Sequence, residues 1–224
     1  MATLSIRQIR FENLYRRGPD ASVVLKLMMA CNDLSLANQA LDDWKRPQPR
    51  ERADRRLAAC MYFVRVELAH LHEALKIIEQ IQKTPSLHSF VDHCDIRTRE
   101  SYSELQKHVY GGPNHQRLNQ LVGKLRHNLT FHYDQCDRLI SAAVEDRASR
   151  PEANLSSITG ASTAHRWRFS AADDIVDSIV VRQLWDIPRA ANQREEADKI
   201  ADEVHAVFLL YVDFAGEFIW KYCE

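Results

Sequence analysis

The prolines of this chain stand between its apolar runs. Pro47 and Pro49, Pro85, Pro113 and Pro188 each mark the edge of a stretch whose apolar residues recur every three or four positions. Proline lacks an N–H and restricts the residue before it, so it ends helices, while the apolar spacing between the breaks is that of one helix face. A chain written this way folds as a succession of helices.

The first stretch is 20–45, with Asp20 as N-cap and Val24, Leu27, Met28, Cys31, Leu34 and Leu41 near helical spacing. The second, about 51–83, has a dense apolar side at Cys60, Phe63, Val64, Leu71, Ala74, Leu75 and Ile78, which suits the middle of a bundle. A helical turn at 87–93 and a polar third helix at 95–109 lead to the break at Gly111, Gly112 and Pro113. Pro113 fits the first position of a fourth helix that continues to about residue 148. From 150 to 170 the sequence turns polar and irregular, and the alternation through His165, Arg166, Trp167, Arg168 and Phe169 suits a short strand or hairpin. Two more helices, 171–185 and 192–222, follow on either side of Pro188, the last apolar at Ile200, Val204, Val207, Phe208, Tyr211, Ala215 and Phe218. The expected fold class is all-α: an elongated bundle of about five to six helices with a short β hairpin near 155–170. Residues 1–224 form one domain on this reading, with 150–170 an irregular insertion within it.

At 224 residues and 45% apolar content the chain can bury a core without staples. Cys31, Cys60, Cys94, Cys136 and Cys223 show no C-x-x-C spacing, and their odd number suits a reducing compartment, where they serve as small core hydrophobes. No basic-then-apolar leader opens the chain, and the apolar stretch 204–220 is interrupted by His205, Asp213 and Glu217. The expected location is cytoplasmic, with no membrane partner. Charge is uneven: residues 1–60 hold 11 Lys/Arg against 7 Asp/Glu, and 171–224 hold 5 against 12. Arginine outnumbers lysine 22 to 8, which favours planar, bidentate contacts to phosphate or carboxylate.

The segment that best carries chemistry is Lys124-Leu125-Arg126-His127-Asn128-Leu129-Thr130-Phe131-His132-Tyr133-Asp134. Its apolar stripe runs through Leu118, Leu121 and Val122, Leu125, Leu129, Cys136, Leu139 and Ile140, and His132 falls on that stripe. On a straight helix Arg126 lies roughly 9 Å down the axis and about 120° around from His132, and Asn128 shares the histidine's face. The pair converges on one anion only if the arginine reaches around or a partner surface supplies a second copy.

The segment resembles the signature of the HEPN superfamily, an arginine followed by a polar residue and, four to six residues on, a histidine: here Arg126-His127-Asn128 through His132. The resemblance implies a helical bundle that dimerises, acts as a metal-independent endoribonuclease, and is encoded beside a nucleotidyltransferase antitoxin or within a phage-defence system. Other members are non-catalytic modules that bind RNA or protein. On this reading Arg126 and His132 are catalytic, His127, Asn128, Tyr133, Asp134 and Glu67 bind substrate or orient the pair, no metal or cofactor is needed, and RNA is the partner. Arg65 with His70 or His72 fits the same spacing, but Val66 stands where the polar residue belongs.

Two other features compete. Glu67 lies mid-way along the apolar face of the second helix, where a buried carboxylate needs a partner, and Arg126 or any other arginine can supply one. Glu67-Leu68-Ala69-His70, with Asp202-Glu203-Val204-His205 as a looser copy, also follows the Glu-x-x-His spacing of di-iron bundles and sustains a metal-binding alternative. Lys45, Arg46, Arg50, Arg52, Arg55 and Arg56 crowd the start of the second helix, where the dipole disfavours cations. Either phosphate or the nearby Asp42, Asp43, Glu51 and Asp54 answers those charges. Gly111-Gly112 is not a phosphate loop, and neither a G-x-S-x-G turn nor paired-cysteine zinc spacing occurs.

Overall fold

A computed structural model describes residues 8–16, 18–53, 55–123, 138–150, 156–161, 166–189 and 192–224. The fold is all-α, a helical bundle with one two-stranded antiparallel sheet among the described residues. The helices are α1 (Phe11–Tyr15), α2 (Asp20–Lys45), α3 (Arg50–Ala53), α4 (Arg56–Lys83), α5 (Pro85–Val91), α6 (Ile96–Gln106), α7 (His115–Leu118), α8 (Arg138–Ala148), α9 (Ser170–Ser178) and α10 (Gln193–Cys223). Strands β1 (Ile158–Ala161) and β2 (Arg166–Phe169) form the hairpin expected near 155–170. Among the described residues no helix is long and apolar enough to cross a membrane.

Several boundaries differ from expectation. Asp20 is the first residue of α2 rather than its cap; as an acid in the first turn it still complements the helix dipole. The second expected helix is divided into α3 and α4. Within α4 the sides of Cys60, Phe63 and Val64 are only half-buried, and full burial begins at Glu67, Leu68 and Ala69. Pro113 sits in a turn, and α7 starts two residues later, with the His115 amide donating to the Gly112 carbonyl. Gly112 packs so closely that a Cβ would meet the Lys107 carbonyl oxygen at 2.4 Å, so only glycine fits there. Helices α7 and α9 each run on into a π-helical stretch, Asn119–Gly123 and Ile179–Leu184.

The chain divides into two compact units. The first comprises Met1–Leu36, His70–Gln116 and His205–Glu224. Its core joins Val24, Leu27 and Leu34 of α2, Leu71, Ile78 and Ile81 of α4, Leu105 of α6, and Tyr211, Phe214 and Phe218 of α10, all fully buried. Phe90 meets Phe218 and Tyr222 edge-on at 5.5 and 5.1 Å, the geometry favoured by ring quadrupoles. Cys94 and Cys223 are buried here, and burial pushes the Cys94 thiol up to about 11.

The second unit comprises Ala37–Ala69 and Arg117–Val204. Leu118, Leu121, Val122, Ala143, Ile179, Val180, Ile187 and Val204 form its interior. Leaving the π stretch, Trp185 donates its amide to the Val180 carbonyl, and Asp186 then takes φ 55°, the left-handed conformation that commonly ends a helix and that aspartate tolerates.

In the first unit α6 begins at a side-chain cap. Asp95 accepts from the Thr98 amide at 2.8 Å and from the Thr98 hydroxyl at 3.0 Å, satisfying the one polar group of buried Thr98. The Thr98 amide bond, foremost, holds the Asp95 carboxyl below its ordinary pKa. A lowered folded-state pKa means stability that is present above the unfolded value and lost as pH falls through the folded one. Asp95→Ala is therefore expected to lower Tm by about 2–4 °C at pH 7, with the difference from wild type shrinking below about pH 4, in thermal melts followed by circular dichroism.

Candidate functional site

Arg126, His127, Asn128, His132, Tyr133 and Asp134 all lie in 124–137, outside the described residues. The apolar stripe that flanks them is seen at both ends: Leu118, Leu121 and Val122 are buried before the segment, and Leu139 is buried after it. Leu139 also accepts a hydrogen bond on its carbonyl from Gln183 Nε2 at 2.9 Å.

Glu67 is described, and it is buried at 6% exposure, the sole carboxylate among the buried polar residues described. It is engaged by a partner, as the cost of a lone buried carboxylate requires. The sequence thus pointed correctly to an unusual carboxylate at this position. The rival pairs have other company: the Arg65 guanidinium lies 5.8 Å from the Tyr62 ring centroid, His70 Nδ1 is 3.7 Å from Asp33 Oδ2, and His72 Nδ1 is 3.4 Å from Glu73 Oε1. His205 stacks on Phe208, and among the described residues no three His, Cys, Asp or Glu side chains cluster as a metal site.

Three members of the basic run around the start of α4, Lys45, Arg46 and Arg56, have partners within the protein. Arg56 donates through Nε to the Trp44 carbonyl at 3.2 Å and through Nη2 to the Lys45 carbonyl, both in the last turn of α2. A guanidinium there serves carbonyls that have no helical donor and complements the negative end of that dipole. Lys45 pairs with Asp42 at 3.6 Å and Arg46 with Asp43 at 3.3 Å.

The main charged centre escaped the sequence reading. In the second unit Asp146 of α8 receives Arg150 at 3.2 Å and Arg182 at 2.9 Å on Oδ2, and Arg189 on Oδ1. The Arg150–Asp146 pair has i,i+4 spacing and could have been read from sequence; Arg182 and Arg189 arrive by tertiary packing. Beside it, Arg147 bridges Asp174 of α9 at 2.5 Å and the Ser156 hydroxyl at 3.0 Å. Burial, followed by the neighbouring Arg150 charge, pushes the Arg182 pKa down, and burial followed by Asp174 pushes the Asp177 carboxyl up, partly opposed by Arg182.

A separate cleft of about 340 Å³ in this unit is lined by residues that include Trp185, Asp186, Ile200, Arg117 and Glu203. Its cations already have carboxylates: Arg117 meets Glu203 at 3.2 Å and Lys199 meets Glu196 at 2.8 Å. The class these observations define is an all-α helical bundle with one small hairpin and an arginine-rich charged centre. No family model, no curated protein and no solved structure matches the chain.

Asp177 provides a test of the charged centre. Its folded-state pKa is raised, so stability is greatest below the unfolded value near 4 and is lost as pH rises through the folded one. Asp177→Asn removes that loss. Its Tm is expected to exceed that of wild type by a few degrees at pH 7 and to match it at pH 3; an equal or lower Tm at pH 7 would show that the ionised carboxylate is a net stabiliser.

Proposed function

We propose that this chain is a HEPN-like, metal-independent endoribonuclease of a toxin–antitoxin or phage-defence system, acting in the cytoplasm. One observation carries the reading: Arg126-His127-Asn128 through His132, an arginine and a histidine at the family's spacing with a polar residue after the arginine. The all-α fold supports it, because the family is a helical bundle and the chain is helical on both sides of the segment. Glu67, buried and engaged, suits the part of an orienting carboxylate.

In this mechanism the Arg126 guanidinium clamps the non-bridging oxygens of the scissile phosphate and offsets the charge that builds there during attack. His132 takes the proton from the ribose 2′-hydroxyl as its oxygen attacks phosphorus in line. The bond to the 5′-oxygen breaks, that oxygen is protonated, and the products carry a 2′,3′-cyclic phosphate and a 5′-hydroxyl. Asn128, with His127, Tyr133 and Asp134, orients substrate or the imidazole. A second copy of the chain brings a second Arg126/His132 pair into reach, and a nucleotidyltransferase antitoxin is the fitting genetic partner.

Cleavage is expected to survive EDTA and to stop where a 2′-deoxy nucleotide replaces the ribose at the cut site. His132→Ala should lower the rate by about 10²–10⁴-fold with the fold retained, and Arg126→Ala should remove phosphate stabilisation. Cleavage only with added divalent metal, or full activity in His132→Ala, would leave the non-catalytic RNA- or protein-binding module as the better reading. Light scattering at tens of micromolar is expected to give a homodimer, and a monomer would count against a shared site.

A further inference from the structure

The hairpin and α9 are fastened to each other. Ile158 pairs with Phe169 and Ala161 with Arg166 across the two strands. The Ser170 amide donates to the Ser157 carbonyl at 3.0 Å, and the Ser157 amide to the Ser170 hydroxyl at 2.8 Å, which joins the base of the hairpin to the first turn of α9. Arg168 of β2 is half-buried with its Nε on Asp173 Oδ2 at 2.9 Å, a second tie between strand and helix. The Trp167 ring covers Gly160 so closely that a Cβ there would fall 2.3 Å from it, so the strands themselves are closely packed. Strands and helix are thus built to move as one piece.

Apolar burial contributes little to holding that piece in its unit. The apolar face of the hairpin is turned to solvent: Ile158 is 69% exposed, Trp167 57% and Phe169 52%. Helix α9 has no buried residue; Ile175 and Val176 are half-buried, and full burial resumes at Ile179 and Val180 in the π stretch. Polar contacts take over, and two of them fall on one side chain. Arg147 of α8 gives Nη1 to Asp174 of α9 at 2.5 Å and Nη2 to the Ser156 hydroxyl at 3.0 Å. One guanidinium thereby grips the piece both ahead of β1 and along α9. The Asp174 side chain is half-exposed, so dissolved ions reach the contact. Asp177 adds an attraction to Arg182 where α9 meets the π stretch. Elements with few buried apolar contacts and many exposed polar ones open locally, as cooperative units, well before the whole fold does.

We propose that β1, β2 and α9 form a strap that opens from α8 as one unit, with Arg147 as its latch and the π-helical stretch Ile179–Leu184 as its hinge. The buried Ile179 and Val180 anchor the far side of that hinge, and irregular turns of this kind within helices recur at functional sites. Salt screens the Arg147–Asp174 pair and its anions compete for the guanidinium, so ionic strength sets how often the strap opens. Opening uncovers the side of α8 on which α9 lies. The assignment stands whether or not the chain cuts RNA.

The test is amide hydrogen exchange of the full chain, followed by mass spectrometry at roughly 50 and 500 mM KCl, about a two-thirds cut in the screening length, for wild type and for Asp174→Asn. Peptides covering β1, β2 and α9 are expected to exchange at least about ten-fold faster than those covering the buried stretch 207–218 of α10. The higher salt is expected to speed the strap by a further factor of about two to five, the range set by one partly exposed ion pair. Asp174→Asn should do the same at low salt, and by an equal factor in both strands and in α9, although the substitution lies in the helix alone. Exchange in 207–218 should not change. Strap peptides that exchange no faster than α10 overturn the proposal, since the piece then opens only with the whole fold. Acceleration confined to α9 overturns it as well, because hairpin and helix then open separately. So does acceleration that extends equally to α10, which would make Asp174 a support of the whole fold, and so does exchange indifferent to both salt and substitution. The salt comparison on wild type decides the matter even if the variant does not fold.

Discussion

The first unit depends on one stripe of α10. Val207, Phe208, Tyr211, Phe214, Ala215, Phe218 and Tyr222 recur at helical spacing and are all nearly or fully buried. Apolar burial is the dominant favourable term in folding, and each fully buried large side chain contributes about 1.5–3 kcal/mol. The short helices that follow α4 are positioned by this stripe: Phe90 of α5 closes on Phe218 and Tyr222, and Tyr102 of α6 on Phe214 at 5.1 Å. Polar contacts then set direction rather than supply the bulk of the stability. Asn13 Nδ2 donates to the Cys223 carbonyl at 3.1 Å, and Arg97 meets Asp213 at 2.6 Å with both side chains exposed, where an ion pair contributes little.

The second unit distributes its stabilisation differently. Helix α9 has no buried residue along its nine positions, and burial resumes only in the π stretch at Ile179 and Val180. On its acidic side Asp173 and Asp174 pair with arginines from β2 and α8, and Asp177 lies within the field of Arg182 in the π stretch. A helix held this way is placed by ion pairs that are partly screened from water, and these depend more on pH and salt than apolar packing does. The raised Asp177 and lowered Arg182 pKa values report that dependence, since both follow first from burial.

Helix existence was legible because burial follows local spacing. The span of α2 was read as 20–45 and is Asp20–Lys45, and α10 was read to within a residue at each end. The π stretches were not legible, since widening one turn shifts the buried face by less than the width of an apolar stripe. The break between α3 and α4 was hidden by residues compatible with helix on both sides. Alternation revealed the hairpin, but its facing could not be read, because it is set by Ser157, Ser170 and Asp173, which lie outside the alternating run. Of the candidate site, Glu67 stood out as a carboxylate on an apolar face, and it is buried; Arg126 and His132 lie outside the described residues. The cluster on Asp146 was invisible because Arg182 and Arg189 are 36 and 43 positions away in sequence and meet it only through the fold.

The arginines of the second unit separate into two kinds, and the distinction is one of charge balance. Arg56 meets two helix-terminal carbonyls, and Arg46 and Arg117 each meet one carboxylate, so these contacts are answered within the protein. Around Asp146 three guanidiniums converge, with Arg150 and Arg182 about three-quarters buried and Asp177 offsetting part of the charge of Arg182. Concentrating like charge there has an energetic cost: burial first, and then the Arg150 charge, push the Arg182 pKa down, and Asp177 partly opposes them. Burial of cations is unfavourable unless anions answer them, and guanidinium suits such a centre because its paired donors match the geometry that a carboxylate accepts. The convergence at Asp146, rather than the abundance of arginine in the chain, therefore sets this centre apart from ordinary helix-end chemistry and makes it the place where pH and salt act most on the second unit.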